Sequence, residues 1–195
     1  MTPRPRLVLA STSPHRRALL QRLGVEFSVA DPAVPEERRT GEAPADMARR
    51  LAEAKARAVA KRFPESVVIG GDQVAVCGSE VLGKPGTHDN AVRQLRLLSG
   101  RDAVFHTAVC VHGARDGRTG TRLVPCRVSF REFDDAAIER YLAREQPYDC
   151  AGSARSEGLG ISLIAKMESE DPTALVGLPL IALVDLLHEQ GVDVP

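Results

Sequence analysis

Apolar residues follow two kinds of pattern along the first third of the chain. Leu7–Ala10 and Val67–Ile69 are short continuous runs that predict buried strands, and Val25–Ala30 is a third strand candidate. Between them, apolar residues recur at helical spacing over 15–23 and 45–63, which predicts two helices. The predicted order is therefore strand, helix, strand, helix, strand.

The second half of the chain begins with a helix that Thr87 caps and Gly100 ends. Two β-branched segments, 103–112 and 122–130, are joined by a glycine-rich stretch and predict a hairpin. The same pattern analysis predicts a helix after Asp134, a strand at 161–164, and a final helix over 173–189 that is interrupted at Gly177-Leu178-Pro179.

Alternation of strands and helices followed by a hairpin indicates an α/β fold with a mixed sheet flanked by helices. A chain of 195 residues fits one domain over 1–195, or one domain divided into two lobes with a cleft between them. Nothing in the sequence marks a linker between independent domains.

Composition narrows the classes of function. The 26 basic and 26 acidic residues cancel, which argues against broad binding to nucleic acid or to a membrane surface. No stretch reaches the ~20 apolar residues that a membrane span needs, and the apolar run near the N-terminus is too short for a signal peptide. Four scattered cysteines without a C-x-x-C pair indicate thiols in a reducing cytosol, with a cysteine nucleophile as the minor alternative. We therefore expect a cytoplasmic protein.

The first candidate site is the polar segment Ser11–Arg17, where a strand feeds a helix. Ser13 suits the N-cap and Pro14 the first helical position. Arg16 and Arg17 in the first turn oppose the helix dipole, and a bound phosphate would explain them, since arginine contacts phosphate oxygens bidentately. A solvated basic face with a serine cap is the alternative.

The second candidate is Asp72, which follows two glycines after a predicted buried strand. Ligands of open α/β sheets bind at this edge, and a carboxylate there holds a metal or acts as a base. The alternative is a Gly-Asp turn between two short strands.

Three charged side chains are weaker candidates on their own. Lys84 lies in a stiff Gly-Lys-Pro turn, Lys55 is in the middle of a predicted helix, and Glu36 is in a proline-rich loop. Each has a solvated surface charge as its alternative. Glu157, in a glycine- and serine-rich segment, offers a carboxylate for a guanine edge, against an exposed loop residue.

The residues from Leu9 to Leu20, read as LASTSPHRRALL, resemble the opening signature of the Maf family of nucleotide pyrophosphatases. Further motifs occur in the order and approximate spacing of that family: Lys55-Ala56, Gly71-Asp72-Gln73, Gly83-Lys84-Pro85, Leu98-Ser99-Gly100 and Ala151-Gly152. The resemblance spans about residues 7–187. Any one motif is weak, but six in order are specific.

The resemblance implies a cytoplasmic enzyme, often dimeric, that hydrolyses a nucleoside triphosphate to the monophosphate and diphosphate. It implies a divalent metal, Mg²⁺ or Mn²⁺, and a fold like that of the inosine-triphosphate pyrophosphatases. Asp72 matches the family's proton acceptor. The residues that match its polar site are Ser11, Arg16, Arg17, Glu36, Lys55 and Lys84. We expect Asp72, with Glu36, to hold the metal or to deprotonate the attacking water, and the triphosphate to lie across the segment Ser11–Arg17, where Ser13 also binds it.

Three positions concern recognition of the nucleobase of the substrate. His15, Gln73 and Glu157 resemble the branch that hydrolyses 7-methyl-GTP, because the branch acting on dTTP and UTP usually has Arg, Thr and Gln there. A negative Glu157 also suits a cationic 7-methylguanine. Two residues depart from the family: His15 replaces an aromatic residue, and Pro35-Glu36 replaces an Asp-Glu pair. Hydrolysis of dTTP and UTP, and a non-catalytic nucleotide-binding regulator of cell division, remain the alternatives.

Overall fold

The computed structural model of the chain describes residues 5–194. These residues divide into two compact units. The first unit comprises the described parts of Met1–Asp72, Thr107–Val124 and Asp171–Pro195, and the second comprises Gln73–His106 and Pro125–Glu170.

A mixed sheet forms the centre of the fold. Its strands are β1 (Arg6–Ala10), β2 (Phe27–Ala30), β3 (Ser66–Cys77), β4 (Glu80–Leu82), β5 (Asp102–Gly113), β6 (Thr119–Phe130) and β7 (Ile164–Glu168). Across the described residues the order is β2-β1-β3-β5-β6-β7, and β4 pairs with β3. β1 runs parallel to β2 and β3, whereas the β3–β4 and β6–β7 pairs are antiparallel. The predicted α/β class with a mixed sheet is confirmed.

The helices are α1 (Pro14–Gln21), α2 (Pro44–Ala60), α3 (His88–Leu98), α4 (Asp135–Glu145) and α5 (Leu180–Glu189), with short 3₁₀ turns at Ala151–Ser153 and Leu159–Leu163. Ser13, Thr87 and Asp134 cap α1, α3 and α4, because each side chain accepts a hydrogen bond from a backbone N–H in the first turn. These three predicted caps are confirmed. No helix within residues 5–194 is both long enough and apolar enough to cross a membrane.

The core of the first unit is aliphatic. Leu9 of β1, Ile69 of β3, Leu20 of α1 and Leu183 and Leu187 of α5 are all completely buried. Each such leucine or isoleucine side chain contributes about 1.5–3 kcal/mol through removal from water. This packing holds α1 and α5 against the strands that carry the candidate site.

β3 excludes the alternative of a Gly-Asp turn between two short strands. It is one continuous strand of 12 residues, so Asp72 lies within it. A Cβ on Gly70 would lie 2.2 Å from the Ala52 carbonyl oxygen and 2.8 Å from the Ala56 nitrogen. The glycine therefore allows β3 to pack closely on α2, and it does not mark a turn.

Two other predictions near the C-terminus were wrong in their bounds. Residues predicted as a strand at 161–164 belong mainly to the 3₁₀ turn Leu159–Leu163, and the strand begins at Ile164. The last helix begins only at Leu180, after Pro179. The side chains of Asp171 and Thr173 accept hydrogen bonds from backbone N–H groups and so hold the preceding segment in a non-helical turn. The short strand β4 was not predicted.

Candidate active site

The alternation of β3 places Asp72 beside a lysine. Gly70 faces α2, and Gly71 faces the opposite side, where a Cβ would lie 3.4 Å from the Nε of Arg16. Successive residues of a strand point to opposite faces, so Asp72 faces α2 again. There its Oδ1 accepts a hydrogen bond of 2.7 Å from the Nζ of Lys55.

Lys55 belongs to the buried face of α2. Only 4% of it is exposed, and it lies on the helix face that also buries Ala52, Ala56 and Val59. Its Nζ is 2.5 Å from the Oε1 of Glu36 as well as 2.7 Å from Asp72. The sequence alternative of a solvated Lys55 is therefore wrong: one ammonium joins two carboxylates.

The side chain of Arg16 is held in place by the backbone of Gly177. Its Nε donates a 2.8 Å hydrogen bond to the carbonyl oxygen of Gly177. The side chain passes close to Gly71 and Gly177, where added Cβ atoms would lie 3.4 and 3.6 Å from that Nε. Among residues 5–194 the two terminal guanidinium nitrogens have no acceptor of their own. They are the part of Arg16 that remains for an anionic ligand.

Burial and charge act against each other in this cluster. Burial raises the pKa of the Asp72 carboxyl, although Lys55 and Arg16 oppose the rise through their positive charges. Burial lowers the pKa of Arg16, and Asp72 and Glu36 oppose that change. Asp72 therefore accepts a proton more readily than an exposed aspartate does, while two cations stay beside it.

The loop from β1 into α1 is ordered by its own hydroxyl groups. The N–H of Ser13 donates to the Oγ of Ser11 over 3.1 Å, and the N–H of Arg16 donates to the Oγ of Ser13 over 3.4 Å. Ser11 is buried, His15 is half-buried and Arg17 is exposed. The first turn of α1 contains no acidic residue, so its positive end and its arginines are not neutralised within the helix.

The remaining predicted site residues, Gln73, Lys84 and Glu157, belong to the second unit. Gln73 directly follows Asp72 in β3 and is half-buried, whereas Lys84 and Glu157 are exposed. The turn that carries Lys84 is fixed, since the carbonyl of Gly83 accepts a 3.0 Å hydrogen bond from the Nε2 of Gln94. The structure thus brings Arg16, Glu36, Lys55 and Asp72 together in the first unit, next to the Ser11–Arg17 segment.

The four cysteines do not support the nucleophile alternative. All four are free thiols, and burial raises the pKa of each one. For Cys110 and Cys150 the pKa rises to about 11. A nucleophilic cysteine needs its thiolate near neutral pH, which these environments disfavour.

Sequence analysis missed the glycines that frame the cluster and the turn behind it. In sequence, Gly70 and Gly71 are equally typical of a turn, and Gly177-Leu178-Pro179 indicates only a break in a helix. Asp171 and Thr173 were not singled out, although both are buried polar residues in the structure. The sequence does contain a signal for these two residues, because an Asp-Pro-Thr sequence shortly before a Gly-Leu-Pro is typical of a turn stabilised by side chains.

The fold and this cluster define an α/β protein with a buried carboxylate and cations at one site of the first unit. A family profile described as Maf-like protein matches residues 6–190. The chain therefore belongs to the Maf-like protein family.

Curated relatives match nearly the whole chain. A protein of Methylobacillus flagellatus is 57% identical over 190 residues, covering 97% of this chain and 99% of the relative. Proteins of Polaromonas sp. and Cupriavidus pinatubonensis are 56% and 52% identical, covering 98% and 97% of this chain and 87% and 96% of the relatives. All three relatives carry the name 7-methyl-GTP pyrophosphatase.

Proposed function

We propose that the chain hydrolyses 7-methyl-GTP to 7-methyl-GMP and diphosphate. The observation that carries the proposal is the cluster of Asp72, Lys55 and Arg16, in which a buried carboxylate of raised pKa lies beside two cations. The substrate comes from the names of the relatives and from the residues at positions 15, 73 and 157.

In this mechanism Asp72 is the general base. It accepts a proton from a water molecule as the oxygen of that water bonds to the α-phosphorus. The bond from the α-phosphorus to the oxygen that bridges to the β-phosphorus breaks, and diphosphate leaves with that oxygen and the electron pair of the bond. A raised pKa suits the task, because a base whose pKa lies nearer the working pH accepts a proton more readily in the transition state.

The phosphates are held by positive charge and by hydroxyl groups. The free terminal nitrogens of Arg16 suit bidentate contact with phosphate oxygens. Arg17, Ser11 and Ser13, on the same segment, would hold further oxygens. Lys55 and Lys84 would neutralise charge, and the role of Lys84 rests on its family motif. Positioning and electrostatic stabilisation dominate phosphoryl transfer, so these groups would carry much of the rate.

Glu36 and Asp72 are the groups that would hold a divalent cation, and direct coordination by Asp72 is the alternative to its role as the base. Both carboxylates approach the same ammonium, so they are close enough to share one positive charge. Carboxylate oxygens are the ligands that Mg²⁺ prefers, and it usually binds through one or two carboxylates together with substrate phosphates. The donor set therefore fits Mg²⁺ or Mn²⁺. When bound, such a cation supplies charge stabilisation to the phosphoryl oxygens.

Selection of the base is assigned to His15, Gln73 and Glu157 on the family resemblance. The ionised carboxylate of Glu157 would accept hydrogen bonds from the guanine N1–H and exocyclic amine. Its charge would also favour a base that carries a positive charge after methylation at N7. Glu157→Gln should therefore reduce the preference for 7-methyl-GTP over GTP.

The cellular setting follows from the same proposal. A nucleotide substrate and free thiols are compatible with the cytoplasm, which we propose as the location. A homodimer remains a proposal from the family resemblance, and its test is the mass of the protein in solution by light scattering.

The test is diphosphate release from 7-methyl-GTP, GTP, dTTP, UTP and CTP, each with Mg²⁺ and with Mn²⁺. We expect the highest kcat/KM with 7-methyl-GTP. Preference for dTTP and UTP would keep the chemistry of Asp72 and refute the assignment of the base-selecting residues. Nucleotide binding without diphosphate release would favour the regulatory alternative.

A further inference from the structure

The turn between Asp171 and α5 is built around one buried carboxylate. Asp171 is 2% exposed. Its Oδ1 accepts hydrogen bonds from the N–H of Thr173 at 2.8 Å and from the Thr173 hydroxyl at 2.6 Å. Its Oδ2 accepts from the N–H of Ile181 at 2.7 Å. The carboxylate thus joins the start of the turn to the first residues of α5.

Thr173 extends this network. Its Oγ1 accepts a 2.8 Å hydrogen bond from the N–H of Leu180, and it is itself 7% exposed. From β5, the hydroxyl of Thr107 donates to the carbonyl of Ala174 over 2.9 Å. The N–H of Gly177 also donates to that carbonyl over 3.0 Å. The backbone from Asp171 to Gly177 is therefore fixed at both ends and in the middle.

Gly177 ends the network at the candidate active site. Its φ of 119° lies in a region that favours glycine, and this conformation presents its carbonyl oxygen to the Nε of Arg16 over 2.8 Å. An Nε bond of this kind fixes the plane of the guanidinium. It also leaves the two terminal nitrogens, which have no acceptor of their own in the described chain, for a ligand.

We infer that Asp171 is a positioning residue for the proposed reaction. It acts through the turn and the Gly177 carbonyl to set the direction in which Arg16 presents its guanidinium to the substrate phosphates. The inference rests on the proposed function, because it gives Arg16 a phosphate to bind. It assigns Asp171 a role that neither the sequence motifs nor the catalytic cluster requires.

Asp171→Asn tests the inference. Both oxygens of the Asp171 carboxylate accept a hydrogen bond from a backbone N–H. In asparagine one of them is replaced by an amide nitrogen, which cannot accept, so the turn should loosen while the apolar core stays unchanged. The matched control is Asp185→Asn, which makes the same change at an exposed carboxylate of α5. We expect kcat/KM for 7-methyl-GTP to fall by about tenfold or more in the Asp171 variant, because a hydrogen bond to a charged group is lost. The control should match the wild type.

Combination with Arg16→Lys distinguishes positioning from general loss of structure. Lysine lacks the Nε bond to Gly177, so the Asp171→Asn change should add little to the loss already caused by Arg16→Lys. A merely structural role predicts losses that multiply, and that result would overturn the inference. Binding of diphosphate, measured by calorimetry, should weaken in both single variants and not in the Asp185 control.

The outcomes also separate this inference from the proposed function. If the wild type releases no diphosphate and Arg16→Lys binds it as well as the wild type does, the proposed function fails. If Arg16→Lys is impaired while Asp171→Asn equals the wild type in kcat/KM and in diphosphate binding, only the role of Asp171 fails. Thermal unfolding of each variant shows whether the protein remains folded during the assay.

Discussion

Two ion-paired carboxylates of the first unit, Asp72 and Glu42, have opposite electrostatic behaviour. Glu42 meets Arg50 of α2 through two hydrogen bonds, of 2.5 and 2.8 Å. The Arg50 side chain lowers the pKa of Glu42 to about 2. Asp72 also meets a cation, at 2.7 Å, yet burial raises its pKa. A short ion pair alone does not determine the pKa of its carboxylate.

The two sites differ in how fully their donors are used. In Arg50, Nε and one terminal nitrogen bind Glu42, and that terminal nitrogen also donates to the carbonyl of Glu37 over 3.0 Å. In Arg16, only the Nε is engaged, by Gly177. The Glu42–Arg50 pair, called the closed pair below, engages both oxygens of its carboxylate and two of the three nitrogens of its guanidinium, whereas Arg16 keeps both terminal nitrogens for a ligand. Perturbed pKa values combined with unused donors favour a functional site.

Replacing the two carboxylates by their amides should affect turnover very differently. Asp72→Asn removes the proposed base, and turnover of 7-methyl-GTP should fall by about 1,000-fold, within the range for loss of a general base. Glu42→Gln makes the same chemical change in the closed pair and should leave turnover near that of the wild type. Steady-state diphosphate release measures both. More than a tenth of wild-type turnover in the Asp72 variant would remove Asp72 from the mechanism.

A smaller effect concerns the pH dependence of the reaction. Lys55 lowers the pKa of Asp72, so Lys55→Met should raise that pKa further. Because the base must be ionised, the acid limb of kcat/KM should move to higher pH. Lys61→Met, at an exposed lysine just after α2, is the control and should leave the limb in place. An unmoved limb in the Lys55 variant would show that Lys55 does not act on the titrating group.

The smallest effect concerns stability, and it belongs to the closed pair. The pKa of Glu42 is lowered from 4.5 to about 2 in the folded protein. The ionised carboxylate therefore stabilises the fold at pH values above the pKa of the unfolded chain, and this stabilisation is lost as the pH falls from about 4.5 to about 2. Glu42→Gln should therefore melt slightly below the wild type at pH 7, and the difference should vanish as pH falls towards about 2. Thermal unfolding at several pH values measures it. If the difference in melting temperature stays constant over this pH range, the titration of Glu42 does not cause it.

Local patterns in the sequence predict those parts of the site that depend on interactions between residues close together in the chain. The Ser13 cap and the arginines of the first turn of α1 follow from neighbouring residues, and so does the helix that carries Lys55. The family motifs then named Asp72 and Lys55 as members of one site, and in the structure they are hydrogen-bonded to each other.

Long-range contacts were outside the reach of those patterns. The bond between Arg16 and Gly177 joins residues 161 positions apart, and no local periodicity encodes it. The role of Gly70 does not follow from the sequence, because a glycine that allows a helix to approach closely and a glycine that makes a turn look the same there. Burial of Lys55 was missed for a related reason, since its partners lie in β3 and in the loop of Glu36.

Competition between two substrates in one reaction mixture measures the preference of the enzyme for its nucleobase. Equal concentrations of 7-methyl-GTP and dTTP are supplied with Mg²⁺, and the two monophosphate products are quantified at early times. Their ratio equals the ratio of kcat/KM values and does not depend on the amount of active enzyme. We expect an excess of 7-methyl-GMP of about tenfold or more, since a hydrogen bond to a charged group such as the Glu157 carboxylate is worth about 1.5–3 kcal/mol. An excess of dTMP would contradict it.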